Sequence, residues 1–457
     1  MLPYSRRPGL AVTIVAVLFA AACTAAPPAA TPTVVPPTGE ATAEPTGEPT
    51  AAPSATPDGR QVEISYANWF HGGSMEAVWN EYIASYLAVD PRVTNVRVET
   101  TPFTRYHDVL NVQLAAGTPP DTAWINASVG PQYVNSGKLV DLTPYIPDDY
   151  DLADFGPALD PWSADGKLYG LPFTNASNLL YFNTDLFTAA GVKTPAELQA
   201  EGNWTWEALK STAKQLVDAA VGAEYGFLFN NNIYTNGFRN LVDIWAPYAG
   251  GPWTNDGSTC TFNTPETKTA TQMVWDMVYV DHSHPAPAVA ADFAAGNIGM
   301  SLARQNVVPR LAEVPFGWDV TLPPSGPAGF VPSRAQNGVV AFVDSASPDL
   351  AAGFIIHAMN KENAAKFGAN TPAVRSSLQT LDILASFNPN FTRDQLDQAV
   401  LPALTSDTFQ MEYTHENYAV AEKAANLIFD SGIWKEDADV SATLDSVCDA
   451  VNVFMSR

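Results

Sequence analysis

Apolar and polar residues alternate where the folded region begins. Val62, Ile64 and Tyr66 are separated by Glu63 and Ser65, so a strand is predicted that ends at Asn68-Trp69-Phe70. Met75, Val78, Trp79, Tyr82, Ile83, Tyr86 and Leu87 then recur at three- and four-residue spacing, which places them on one face of a helix. Val96 and Val98 mark a second strand. Tyr106, Val109, Leu110 and Leu114 stripe a second helix, stopped by Gly117 with Pro119 and Pro120 beyond it. Residues 122–126 form a third strand. This β-α-β-α-β order predicts a parallel sheet with helices on its faces. Ligands of such sheets collect at the carboxyl ends of the strands, where Trp69 and 124–126 fall.

A second alternating run begins near Leu179. An apolar strand is predicted over 179–183, followed by a helix from Thr184 that Gly191 ends. Thr205 is placed to cap a helix carrying Trp206, Leu209, Ala213, Leu216 and Val217, and 225–229 reads as the next strand. A strand over 339–343 precedes Ser347-Pro348, which opens another helix. No internal repeat or coiled-coil heptad is found.

The amino terminus departs from this pattern. Arg6 and Arg7 precede an apolar run over 10–22, and small residues lead into Cys23. A basic head, an apolar core and a small-residue cleavage point make a secretory signal over 1–22, too short for the about 20 residues that span a bilayer. The small residues before Cys23 resemble a bacterial lipobox, with Ala20 where that pattern usually carries Leu. This implies cleavage before Cys23 and a lipid on its thiol. Residues 23–59 are almost all Pro, Ala, Thr, Gly, Val and Ser, with four acids and no base. Such a segment has no surface to bury against its ordering entropy and is expected to be an extended tether.

From residue 60 onward roughly 400 residues remain, more than one core normally serves, so two lobes are expected. There are 23 basic and 48 acidic residues, a net charge of −25 that becomes −27 once the leader's two arginines are removed. That field repels nucleic acid and anionic headgroups. With Cys23 set aside, Cys260 and Cys448 remain either as a disulfide in an oxidising compartment or as two free thiols.

Several segments resemble the extracellular solute-binding proteins of ABC importers, in the carbohydrate branch that includes maltose-binding protein. Leu114-Ala115-Ala116-Gly117-Thr118-Pro119-Pro120-Asp121 and Gly137-Lys138-Leu139-Val140-Asp141-Leu142-Thr143 are similar to two segments of that family. The strongest match is Asp165-Gly166-Lys167-Leu168-Tyr169-Gly170-Leu171-Pro172, followed by Leu180-Tyr181-Phe182-Asn183-Thr184-Asp185-Leu186-Phe187. Thr205-Trp206-Glu207, Tyr225-Gly226-Phe227, Trp245 before Gly250-Gly251, and Phe293-Ala294-Ala295-Gly296 follow in order.

The resemblance implies an α/β, two-lobed periplasmic-binding-protein fold. Each lobe would be a mainly parallel sheet flanked by helices, with a ligand cleft at a hinge of three chain crossings. By analogy, lobe one is 60–173 with 334–402 returning to it, and lobe two is 178–322 with 405–457. A Cys260–Cys448 disulfide would then brace lobe two alone. The resemblance further implies a sugar ligand, the transmembrane subunits of an ABC permease as partner, attachment to the outer face of the cytoplasmic membrane through the lipid, a monomeric state, and no cofactor.

A sugar has an apolar C–H face that packs on aromatic rings and an edge of hydroxyls that needs planar donors and acceptors. On this chemistry the candidates are Trp69, His71, Trp124 and Asn126 at strand ends, and Asn175 and Asn178 at the first crossing. Trp245, Tyr248 and Arg304 on the other lobe, Asn337 at the second crossing and Tyr413 at the third complete the set. Asp121 is expected to fix a turn, and Trp79 and Trp275 to lie in the core.

Nucleophile-elbow, phosphate-loop, zinc-protease and dinucleotide motifs are missing from the sequence. His282-Ser283-His284 lacks a third nearby ligand for a metal. Two alternatives stand beside a sugar-binding protein. The same fold serves non-sugar solutes such as peptides, polyamines or phosphate esters, and aromatic clefts with paired carboxylates also suit a secreted glycoside hydrolase.

Overall fold

The computed structural model describes residues 59–69, 73–230, 233–234, 240–254, 257–368, 371–411 and 417–455. The first three strands are β1 (Val62–Asn68), β2 (Val93–Thr100) and β3 (Thr122–Asn126). A short hairpin, β4 (Ser163–Ala164) and β5 (Lys167–Leu168), precedes β6 (Gly170–Ala176) and β7 (Asn178–Asn183). Then come β8 (Tyr225–Phe229), β9 (Ile298–Arg304), β10 (Trp318–Thr321), β11 (Ser333–Ala341) and β12 (Gln410–Met411). One sheet has the order β12-β11-β3-β1-β2, with β6 also paired to β11; the second has the order β10-β7-β9-β8. Each lobe is thus a sheet with helices packed on it.

Strands β1, β2 and β3 pair in parallel, as the alternating pattern predicts. The second sheet differs from a mainly parallel one: β7 runs antiparallel to both β9 and β10, and only β8 and β9 are parallel. The cause is the crossing itself. A single residue, Ser177, separates β6 from β7, so β7 runs away from the hinge while β8 and β9 run towards it. For the same reason β11, coming back from the second sheet, lies antiparallel to β3 and β6.

Local signals set the element ends. The Asn183 side chain accepts from the N–H groups of Asp185 and Leu186, and Gly191 ends that helix at φ 65°. Thr205 caps the helix Trp206–Asp218, whose Trp206, Leu209, Ala213 and Leu216 are buried. That helix lies so close to β8 that a Cβ on Gly226 would sit 2.0 Å from the Ala213 carbonyl oxygen. Asp121 fixes a turn by accepting from the Ser65 N–H and hydroxyl and from the Ser345 hydroxyl. Trp79 is buried; Trp275 is partly buried against the core.

One boundary differs from the expected lobes. Leu384, Phe391, Leu396, Ala399, Val400, Ala403 and Leu404 pack with Leu179, Tyr181 and Val320 of the second sheet. The stretch 384–404 therefore packs on the second sheet. Its apolar spacing suits either lobe, so only packing decides. Cys260 and Cys448 are joined in a disulfide with a Cα–Cα distance of 5.5 Å. Among the described residues no helix is long and apolar enough to cross a membrane.

Candidate functional site

Because β1 and β3 are parallel, Asn68 and Asn126 end on one edge of the first sheet. Antiparallel β11 brings Asn337 opposite Asn126 at that edge. In the second sheet Asn178 lies opposite Arg304. The one-residue crossing at Ser177 sets these two edges beside each other.

Polar side chains link across both edges, amides and a hydroxyl on the first and a carboxylate with its donors on the second. Asn126 Nδ2 donates to Asn337 Oδ1 at 3.2 Å, and Asn337 Nδ2 donates to Thr174 Oγ1 at 3.2 Å. On the second edge, Asn178 Nδ2 donates to Asp243 Oδ2 at 2.6 Å and the Ser333 hydroxyl donates to Asp243 Oδ1 at 2.5 Å. Burial pushes the Asp243 carboxyl up; the hydrogen bonds from Ser333 and Asn178 and the charge of Arg304 oppose that shift. A carboxylate held by two donors keeps the Asn178 amide oriented along this edge.

The structure sorts the sequence candidates. Asn126, Asn178, Arg304 and Asn337 lie together on these edges. Trp69 keeps part of its surface open and stands edge-on to Phe103, Tyr106 and Trp124. Trp124 is only 1% exposed, and its indole N–H donates to the Tyr66 hydroxyl. It is a core residue because β3 turns it towards Trp79 and Phe173. Trp245 is buried too, donating to Thr271 Oγ1 at 3.0 Å and packing edge-on against Phe262 and Phe429. Tyr248 is buried with its hydroxyl donating to Glu207. An aromatic before Gly-Gly reads as a cleft wall in sequence, whereas here the short helix Val242–Trp245 turns the ring inward. Asn175 lies on the opposite face of the crossing strand from Thr174. His71, Tyr413 and Cys23 lie outside the described residues.

Asp243 and Ser333 were not among the sequence candidates. The signal for Asp243 is a single carboxylate inside the apolar run Leu241-Val242-Asp243-Ile244-Trp245. Ser333 carries no such signal. His284 is buried; its Nε2 accepts from the Phe229 N–H at 3.2 Å, and burial pushes the imidazole down to about 4. It is a neutral packing residue. Among the described residues no group of three or more His, Cys, Asp or Glu is arranged to hold a metal.

Two sheets joined through a one-residue crossing, with polar residues on the adjoining edges, define a two-lobed binding protein. A model of the bacterial extracellular solute-binding protein family matches residues 82–392, and the chain belongs to that family. Among relatives, a binding protein of Brucella abortus strain 2308 is 25% identical over 304 residues, covering 64% of this chain and 71% of that protein. The arabinooligosaccharide-binding protein of Bacillus subtilis strain 168 is 26% identical over 234 residues, 50% of this chain and 51% of the relative. The fold is shared with an ABC substrate-binding protein of Listeria monocytogenes solved in complex with cycloalternan. That match has TM-score 0.73 and 23% identity, covering 86% of this chain and 99% of the other.

Proposed function

We propose that the protein captures a neutral mono- or oligosaccharide between its two lobes and delivers it, unaltered, to the transmembrane subunits of an ABC importer. The observation that carries this reading is the hydrogen-bonded run of amides, hydroxyls and one buried carboxylate on the adjoining edges, Asn126-Asn337-Thr174 and Asn178-Asp243-Ser333. Planar amides of this kind suit the vicinal hydroxyls of a sugar ring, and Trp69 offers an aromatic edge beside them. The Listeria and Bacillus relatives, whose names carry oligosaccharides, support the same ligand class.

In this reading the chain is exported, lipidated at Cys23, held outside the cytoplasmic membrane by the 23–59 tether, and acts as a monomer without catalysis. Lobe one is 60–176 with 333 to about 380, and lobe two is 178–322 with 384–457, a last boundary supported by the packing of 384–404 on the second sheet. Closure follows because a bridging sugar gains contacts that neither edge makes alone. Moving a clamp from 1:99 to 99:1 closed takes about 5.5 kcal/mol of differential affinity.

A melting screen tests this reading with arabino-, malto- and cyclic oligosaccharides, set against peptides, spermidine and glycerol phosphate esters. A neutral oligosaccharide at a hundredfold excess over its Kd should stabilise the fold by about 2.7 kcal/mol. For a chain of this size that is roughly a 3 °C rise in Tm. A rise with the charged non-sugar solutes alone would replace the sugar reading. Release of monosaccharide during the incubation would replace it with a hydrolase.

A further inference from the structure

Strand β11 presents different chemistry on its two faces. Ser333 and Asn337 belong to the edge already described; Arg334 and Gln336, alternating with them, point the other way. There they line a cavity of about 670 Å³ with Asn175, Phe155, Val374 and Phe409. Gln336 faces Asn175 across the β6–β11 pairing.

Two buried donors in this cavity lack acceptors. Gln336 is fully buried, and its amide orientation is fixed because Oε1 accepts from Trp162 Nε1 at 2.9 Å. Its Nε2 has no partner among the described residues. Trp162 is itself held in place by the missing side chains of Gly170 and Gly338, whose Cβ atoms would come within 2.8 and 2.6 Å of its ring. Arg334 is 7% exposed. Its Nη2 donates to the carbonyls of Ser406 at 2.9 Å and Ala403 at 3.3 Å, and the guanidinium lies 3.9 Å from the centroid of the Phe409 ring. Among the described residues its Nε has no partner and no carboxylate forms an ion pair with it.

A buried cation without a counter-charge and a buried amide donor without an acceptor are both costly, and one carboxylate relieves both. Asp160 and Asp407 line the exposed rim of the same cavity. They disfavour a second negative charge on the occupant. With their donors committed to Asp154 and to the Ala373 and Val374 carbonyls, Ser376 Oγ and Gln379 Oε1 offer acceptors for ligand hydroxyls on the wall, and the faces of Phe155 and Phe409 are apolar.

We propose that this cavity behind the crossing strands is a second ligand site, which takes a singly charged, hydroxylated carboxylate, that is, a sugar acid. Its carboxylate accepts from Arg334 Nε and Gln336 Nε2. The site is independent of whatever solute fills the edges on the opposite face, so its failure would leave that reading untouched.

Calorimetry of the mature protein with D-glucuronate, D-gluconate, D-glucose and glucose 6-phosphate tests it. Saturable binding of glucuronate or gluconate is expected, at least about tenfold tighter than glucose or the doubly charged ester. Gln336→Glu keeps the acceptor for Trp162 and supplies a fixed carboxylate beside Arg334. It should lower sugar-acid affinity at least about tenfold while its Tm equals or exceeds that of the unmodified protein. Asn175→Leu, on the opposite wall, should weaken the same binding without disturbing Trp162. No binding of either sugar acid, or binding that Gln336→Glu and Asn175→Leu leave unchanged, would overturn the assignment.

Discussion

Trp124→Ala is expected to lower stability by about 3–5 kcal/mol, as large-to-small changes of buried aromatic residues do. For a chain of this size the fall in Tm is roughly 4–6 °C. Ligand affinity should not change, because the ring has no open face. Its edge contacts are Tyr66, Trp69 and Trp79, it packs tilted against Phe173, and its N–H is already bonded to Tyr66. Calorimetry and a melting curve on the same preparation check both halves. A variant with normal Tm and much weaker binding would return Trp124 to the ligand site. Trp69→Ala is the informative partner: its ring is partly open, so its loss should weaken binding more than it weakens the fold.

Arg375→Ala is expected to cost a similar amount for an electrostatic reason. The Arg375 and Asp154 side chains are 2% and 4% exposed, with Nη1 3.5 Å from Oδ2. The guanidinium also donates to the carbonyls of Asp151 and Met359 and lies over Tyr150 and Phe155. Removing one partner of a buried pair strands the other, at about 3–5 kcal/mol. Burial pushes the Asp154 carboxyl up, but the Ser377 hydroxyl and N–H, the Ser376 hydroxyl and the Arg375 charge together hold it below the usual range. A group whose folded pKa is depressed stabilises the fold above its unfolded pKa, about 3.9, and loses that contribution as pH falls through the folded value. Chemical denaturation from pH 7 to pH 2 should therefore show the gap between the unmodified protein and Asp154→Asn constant above about pH 5 and narrowing below it. A gap that widens on acidification would contradict this account.

The elements with a clear period were legible in the sequence. Thr122–Asn126 occupies the predicted residues, and the Thr205 cap and the Gly191 stop both act as expected. The amino-terminal half of β11 was not, because Ser333-Arg334-Ala335-Gln336-Asn337-Gly338 is polar on both faces and reads as a loop. That polarity is what a strand needs when one face meets the polar adjoining edges and the other a polar cavity. The site was legible only by residue type. Amides at strand ends could be placed on an edge from the chain order, whereas the direction of Trp124, Trp245 and Tyr248 depends on packing that composition does not encode. Asn175 and Thr174 differ by one position along a strand, and that single step sends one to each face.

Small-angle X-ray scattering of the mature protein, titrated with the oligosaccharide that gives the largest melting shift, tests lobe closure most directly. Closure of the lobes on an unaltered sugar predicts a saturable fall in radius of gyration whose midpoint matches the calorimetric Kd, with the sugar recovered intact. Tight binding with an unchanged radius of gyration, or sugar recovered as smaller fragments, would contradict it.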